Sequence, residues 1–142
     1  MFAGLFDKEY KKIGFEDVQF AIKATQDYVI INTLPITEQD CLIKSTASYH
    51  VEEQLINSLL QQYTALTEFV IIVYGRNGTD DTALSKCKQL TNLGFKRVYI
   101  YAGGLFEWLL LQDIYGADEF PTTKKVVDIL SFKPKNQLRG AH

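Results

Sequence analysis

Phe69-Val70-Ile71-Ile72-Val73-Tyr74-Gly75-Arg76-Asn77-Gly78-Thr79-Asp80-Asp81 is the stretch that decides the fold. Its first six residues are a near-continuous apolar run, which predicts a strand buried on both faces. The polar half that follows holds two glycines and leads directly into a helical pattern. A short loop from a strand end to a helix start gathers backbone N–H groups around one point and so forms an anion cradle. The first residue of this loop is Gly75, which has no side chain to attack anything.

Working outward, helical and extended patterns alternate. Phe15–Lys23 fits a helix with Val18, Ala21 and Ile22 on one face and acids in its first turn. Tyr28–Leu34 is a β-branched run, Cys41–Lys44 a short strand candidate, and Val51–Tyr63 a helix with Ser48 as its expected N-cap. Thr82–Leu93 predicts a helix with Ala83, Cys87 and Leu90 inward and Asp81 as cap. Gly94 suits the left-handed position after its last turn. Arg97–Tyr101 reads as a strand, Gly103-Gly104 as a turn, and Leu105–Tyr115 as a helix ended by Gly116. Val126–Phe132 fits helix and strand equally. Tyr99, Tyr101, Phe106 and Trp108 are expected to fill the core. Alternating strands and helices predict an α/β domain with a mostly parallel central sheet, in which ligands meet the carboxyl ends of the strands.

The 142 residues suffice for one domain with a sizeable core. The expected division is an N-terminal arm over 1–14, the domain over 15–120 and a basic C-terminal extension over 121–142. Net charge is −2, but Lys124, Lys125, Lys133, Lys135 and Arg139 against Asp128 give +4 from Thr122 onward, leaving −6 for the remainder. No nucleic acid is expected at that balance. Two cysteines, Cys41 and Cys87, cannot build a disulfide framework, and no Cys/His spacing suggests zinc, so neither metal nor cofactor is expected. Met1–Phe6 is apolar but too short for a secretory core, and no run is long enough to span a membrane. The expected setting is the reducing cytoplasm.

The ordered set of strand, glycine loop, helix, Gly94-Phe95, strand, Gly103-Gly104 and a helix bearing Trp108 resembles a single rhodanese-like domain, from about Phe15 to Gly116. That resemblance implies a three-layer α/β/α fold, shared with dual-specificity phosphatases, and a sulfurtransferase site at Gly75–Asp81. Active members of the family carry the catalytic Cys where Gly75 stands. They often carry a cation near the loop end, where this chain has Asp80, and an Asp and Arg pair where it has Asn32-Thr33-Leu34. Arg76 and Gly78 match the usual loop.

A sulfurtransferase needs a thiolate to accept sulfur and the related dual-specificity phosphatases need one to attack phosphorus, and glycine supplies neither. Asp80 and Asp81 are expected to weaken anion binding: unit charges ~5 Å apart at an effective dielectric of about 20 interact by roughly 3 kcal/mol. The first expectation is therefore a catalytically inactive rhodanese-like binding or assembly module. Its contact face would be the loop Gly75, Arg76, Asn77, Gly78, Thr79, Asp80 and Asp81 with the neighbouring Gly103 and Gly104. A protein partner or a small oxyanion would be its ligand, and the chain would be a monomer or homodimer. Two alternatives stand beside it: a sulfur carrier using Cys41, and a structural subunit of a larger assembly. His50 is expected at the surface or as a helix cap. Small rhodanese-like proteins also occur in large DNA viruses, so the resemblance is compatible with a viral source.

Overall fold

The computed structural model describes residues 10–62 and 64–138. Among them are four strands and five α-helices. In chain order these are β1 (Lys11–Ile13), α1 (Phe15–Lys23), β2 (Tyr28–Asn32), α2 (Tyr49–Leu60), α3 (Ala65–Glu68), β3 (Val70–Tyr74), α4 (Thr82–Leu93), β4 (Val98–Tyr101) and α5 (Gly104–Tyr115). Short 3₁₀ turns occupy Ile36–Glu38 and Ile129–Phe132. The strands form one all-parallel sheet in the order β1-β4-β3-β2. No helix among the described residues is long and apolar enough to cross a membrane.

Alternation along the strands sends side chains to two cores. Ile30, Ile72, Tyr74 and Tyr101 face α1 and α5, where they meet Val18, Ala21, Leu105, Trp108 and Phe120. Val29, Ile31, Ile71, Val73 and Ile100 face α2, α3 and α4, where they meet Ile56, Leu59, Ala65, Cys87 and Leu90. The result is the three-layer α/β/α arrangement expected from the sequence. All five residues of β3 are buried, because this central strand is covered on both faces. Trp108 is fully buried, and its Nε1–H donates to the Pro121 carbonyl at 3.1 Å, so the indole's polar edge is satisfied inside the core.

Register places the functional edge. Asn32 lies opposite Tyr74, Tyr74 opposite Tyr101, and Tyr101 opposite Ile13. All four strands therefore end level, and the loops after β2, β3 and β4 emerge side by side.

Several local readings need correction. Lys11–Ile13, to which no strand was assigned, pairs with Tyr99–Tyr101 as an edge strand. Three residues are too few to show a periodicity, so only the neighbouring strand reveals it. Cys41–Lys44 is not a strand beyond one bridge between Ile43 and Thr122. Its donors go elsewhere: Leu42 N–H to Thr123 Oγ1, Ile43 N–H to the Tyr74 hydroxyl, and Lys44 N–H to the Pro121 carbonyl. Helix α2 begins at Tyr49 and ends at Leu60, while the expected end at Tyr63 falls outside the described residues. Ser48 and Asp81 precede their helices, yet neither side chain caps. Of the ambiguous segment Val126–Phe132, Ile129–Phe132 forms the 3₁₀ turn and the rest is irregular. Gly94 does take the left-handed C-terminal position, φ 118°, with Phe95 N–H reaching the Leu90 carbonyl at 3.3 Å. Of the four aromatics expected in the core, Tyr101 and Trp108 are buried, and Tyr99 and Phe106 are half-buried.

The Tyr74 side chain ties β3 to the segment after β2. Its fully buried hydroxyl accepts the Ile43 N–H at 3.1 Å and shares a hydrogen bond with Thr46 Oγ1 at 2.8 Å. Burial pushes its pKa above the ordinary tyrosine range, against the lowering effect of those two bonds. Tyr74→Phe keeps the ring but strands a buried N–H, so it is expected to destabilise the fold by about 1–3 kcal/mol. A urea midpoint unchanged from wild type would refute this role for the hydroxyl.

Candidate functional site

The loop from Gly75 to Asp81 joins β3 to α4 in seven residues, so several N–H groups have no partner within a strand or helix. One carboxylate gathers two of them. Asp80 Oδ2 accepts the Arg76 N–H at 2.9 Å, and Asp80 Oδ1 accepts the Thr82 N–H at 3.0 Å and the Thr82 hydroxyl at 2.6 Å. The Thr82 hydroxyl also shares a hydrogen bond with Thr33 Oγ1 at 2.8 Å, which links the loop after β2 to the start of α4. The cradle thus holds an anion belonging to the chain itself.

Gly75 makes that occupancy sterically possible. A Cβ built on it would lie 2.8 Å from Asp80 Oδ2 and 3.2 Å from Thr33 Oγ1. The carboxylate occupies the space that a side chain at position 75 would need. The sequence places Asp80 beside the cradle as a repelling charge, whereas the structure places it inside as a hydrogen-bond acceptor. Burial by itself would raise its pKa, but the Thr82 hydroxyl, the two backbone N–H groups and the Arg76 charge together hold it below the ordinary value of 3.8. Asp81 is exposed, and its carbonyl accepts the Ser85 N–H in the first turn of α4.

The second glycine pair supports the loop from the side. Gly104 adopts φ +70°, and a Cβ there would approach the Gly75 carbonyl oxygen to 2.8 Å and the Asn77 nitrogen to 2.9 Å. This contact lets the first turn of α5 donate to the loop: Leu105 N–H to the Gly75 carbonyl at 3.0 Å, and Phe106 N–H to the Arg76 carbonyl at 2.9 Å. Gly103 lies under the Glu107 carboxylate, which accepts the Tyr101 hydroxyl at 2.7 Å. Burial and that bond push the Tyr101 pKa upward.

Arg76 points away from the cradle. Its guanidinium pairs with Glu38, donates to the Ser131 carbonyl and lies 5.2 Å from the Phe132 ring centroid. Asn77, 8% exposed, donates from Nδ2 to the Phe132 carbonyl at 2.9 Å, while its Oδ1 accepts from the N–H and hydroxyl of Thr79. The C-terminal segment is thereby fastened to the loop by main-chain oxygens. Gly78 and Thr79 form the exposed tip.

Among the remaining candidates, Cys41 lines a groove with Arg76, Ser131 and Phe132. Cys41 is buried, and its thiol donates to the Lys124 carbonyl at 3.2 Å. Burial raises its pKa against the lowering effect of its Thr122 and Lys124 contacts. Cys87 sits in the core under α4, where burial pushes its pKa to about 11. His50 is exposed in the first turn of α2, its ring 3.9 Å from that of Tyr49. At the end of β2, Asn32 Oδ1 accepts the Leu34 N–H at 3.0 Å, while its buried Nδ2 has no partner among the described residues. Sequence reasoning did not find Thr33, Thr82, Ser131 or Phe132. The Asp80-Asp81-Thr82 spacing is a local signal for Thr82, since an aspartate readily binds the N–H two residues on. Nothing local announces the other three.

Two outcomes follow from this geometry. The ionised Asp80 adds to stability at neutral pH, and that contribution is lost as pH falls through its lowered folded-state pKa. Asp80→Asn is therefore expected to destabilise at pH 7, with the gap from wild type narrowing below about pH 4 in a urea series. A gap independent of pH would contradict the charged contact. Gly104→Ala meets both strain and a backbone clash, and is expected to lower stability by about 1–3 kcal/mol or more, read as a drop in Tm.

Comparison with known proteins agrees with the architecture. The family described as rhodanese-like domain matches residues 22–111. No curated protein matches the chain. Among solved structures, the BH2092 protein of Bacillus halodurans superposes with a TM-score of 0.56 at 20% identity, over 75% of this chain and 74% of that one. The Alr3790 protein of Anabaena gives 0.56 at 20% identity, over 81% and 94%. The Saccharomyces cerevisiae single-domain sulfurtransferase RDL2 gives 0.54 at 17% identity, over 81% and 98%. At such identities the structural likeness speaks for the fold. With the family match spanning more than half of its residues, the chain belongs to the rhodanese-like domain family.

Proposed function

We propose that this rhodanese-like domain is catalytically inactive and serves as a cytoplasmic binding or assembly module through the face built on Gly75–Asp81. The observation that carries this reading is the Asp80 carboxylate in the cradle, hydrogen-bonded to Arg76 and Thr82 and filling the space above Gly75. Sulfur transfer needs a thiolate at a position where it can meet the incoming sulfur. The first loop residue supplies none, and a carboxylate already held there repels an anionic donor such as thiosulfate.

The state of the other thiols supports the same reading. Cys41 is buried, and burial raises its pKa, which favours the neutral thiol over the nucleophilic thiolate. Cys87 is enclosed in the core beneath α4. A sulfur carrier using Cys41 would require the contacts to Thr122 and Lys124 to open first.

Wild type is expected to show thiosulfate-to-cyanide turnover no higher than a thiol-free control protein. Turnover that survives Cys41→Ser with Cys87→Ser would sink the inactive reading. The cradle itself is tested by restoring the thiol. Gly75→Cys alone places the new side chain against Asp80 and is expected to take up little sulfur. Combined with Asp80→Ala, the introduced thiolate should attack the sulfane sulfur of thiosulfate. Its S–S bond breaks, sulfite leaves with the electron pair, and one sulfur remains on the protein as a persulfide visible by mass spectrometry. Equal loading of the single and double variants would show that Asp80 does not block the site.

A further inference from the structure

The segment Asn77–Asp81 forms the shared wall of two open grooves at the level ends of the strands. One, of about 960 Å³, lies between this wall and β1, with Ile100 and the partly exposed Leu84 among its apolar surfaces and Lys11, Lys12 and Lys88 along its lining. The other, of about 970 Å³, lies between the wall and the C-terminal segment, with the exposed Leu130 and with Lys133 and Lys135. Five lysines thus flank a wall bearing two aspartates, a local excess of positive charge in a chain whose net charge is −2. Asp80 is held by Arg76 and Thr82, so its carboxylate is fixed inside the loop while the lysines line the grooves on either side.

We propose that this face docks an acidic peptide segment of a partner protein, one in which carboxylates are interspersed with apolar residues. The proposal rests on the binding-module reading above and names the partner's chemistry. Carboxylates placed over the two lysine rims gain from the positive potential, and apolar side chains cover Leu84 and Leu130. A peptide can set uncharged residues against Asp80 and Asp81 where the wall separates the rims. A nucleic-acid backbone has no such freedom, because each successive phosphate is charged and some would press on the aspartates. The spacing of the charges therefore favours the peptide.

Fluorescence anisotropy of the full chain with a fluorescein-labelled peptide of Glu-Leu-Ser repeats tests this at low ionic strength. Saturable binding that weakens steeply with added salt is expected. Lys11→Glu with Lys12→Glu and Lys88→Glu, or Lys133→Glu with Lys135→Glu, should each weaken it roughly tenfold or more, since several rim charges act together. Lys23→Glu with Lys96→Glu, at exposed positions away from both grooves, should change it by less than about twofold. No anisotropy change, or an equal loss in the Lys23 and Lys96 control, overturns the proposal. An oligothymidylate of the same length that binds more tightly and responds to the same groove variants also overturns it, in favour of nucleic acid. The thiosulfate assay on the same preparations separates the two readings. Absent turnover with absent peptide binding removes only the docking partner, whereas turnover removes the inactive-module reading itself.

Discussion

A single carboxylate bridging the Arg76 and Thr82 N–H groups is the contact on which this end of the molecule depends. A seven-residue connection from a buried strand to a helix leaves donors with nowhere local to go, and unmet donors are costly when burial excludes water. Asp80 resolves that shortage from within the loop. It can do so only because position 75 has no side chain, and the Thr82 hydroxyl, itself bonded to Thr33, fixes the carboxylate's second oxygen. The same close packing explains Gly104, whose left-handed backbone brings the first turn of α5 against the loop carbonyls.

Two halves of Arg76 serve different partners. Its N–H turns inward to Asp80, while its guanidinium reaches outward to Glu38, Ser131 and Phe132. The loop is therefore joined to the segment after β2 and to the C-terminal segment at once. The level strand ends make this geometry available, because loops leaving one edge of a parallel sheet emerge as neighbours although they are far apart in sequence.

Most of the scaffold could be read from local patterns. The runs at Tyr28–Leu34, Phe69–Tyr74 and Arg97–Tyr101 contain the three longer strands, and the helix stripes at Val18/Ala21 and Ala83/Cys87/Leu90 are the faces that pack. The family resemblance drew on the same elements. Short elements were not legible: β1 is three residues long and exists through its pairing with β4. The Cys41–Lys44 run has the composition of a strand, yet its N–H groups are met by a threonine hydroxyl, a tyrosine hydroxyl and a loop carbonyl. At the loop, charge counting placed Asp80 among the repelling groups. Its sign was right, but charge alone does not show whether a carboxylate faces an anion's site from outside or occupies it.

By itself the sequence determined the layered α/β class and the glycine at the head of the loop. These follow from composition and from hydrophobic period, which act through neighbours a few residues apart. Tertiary structure alone decided which anion the cradle holds, where Arg76 points and how residues around 131 come to lie beside residue 76. The physical reason is that a hydrogen bond spanning 55 residues depends on where the sheet and helices deliver both partners. That delivery is a property of the packed core as a whole.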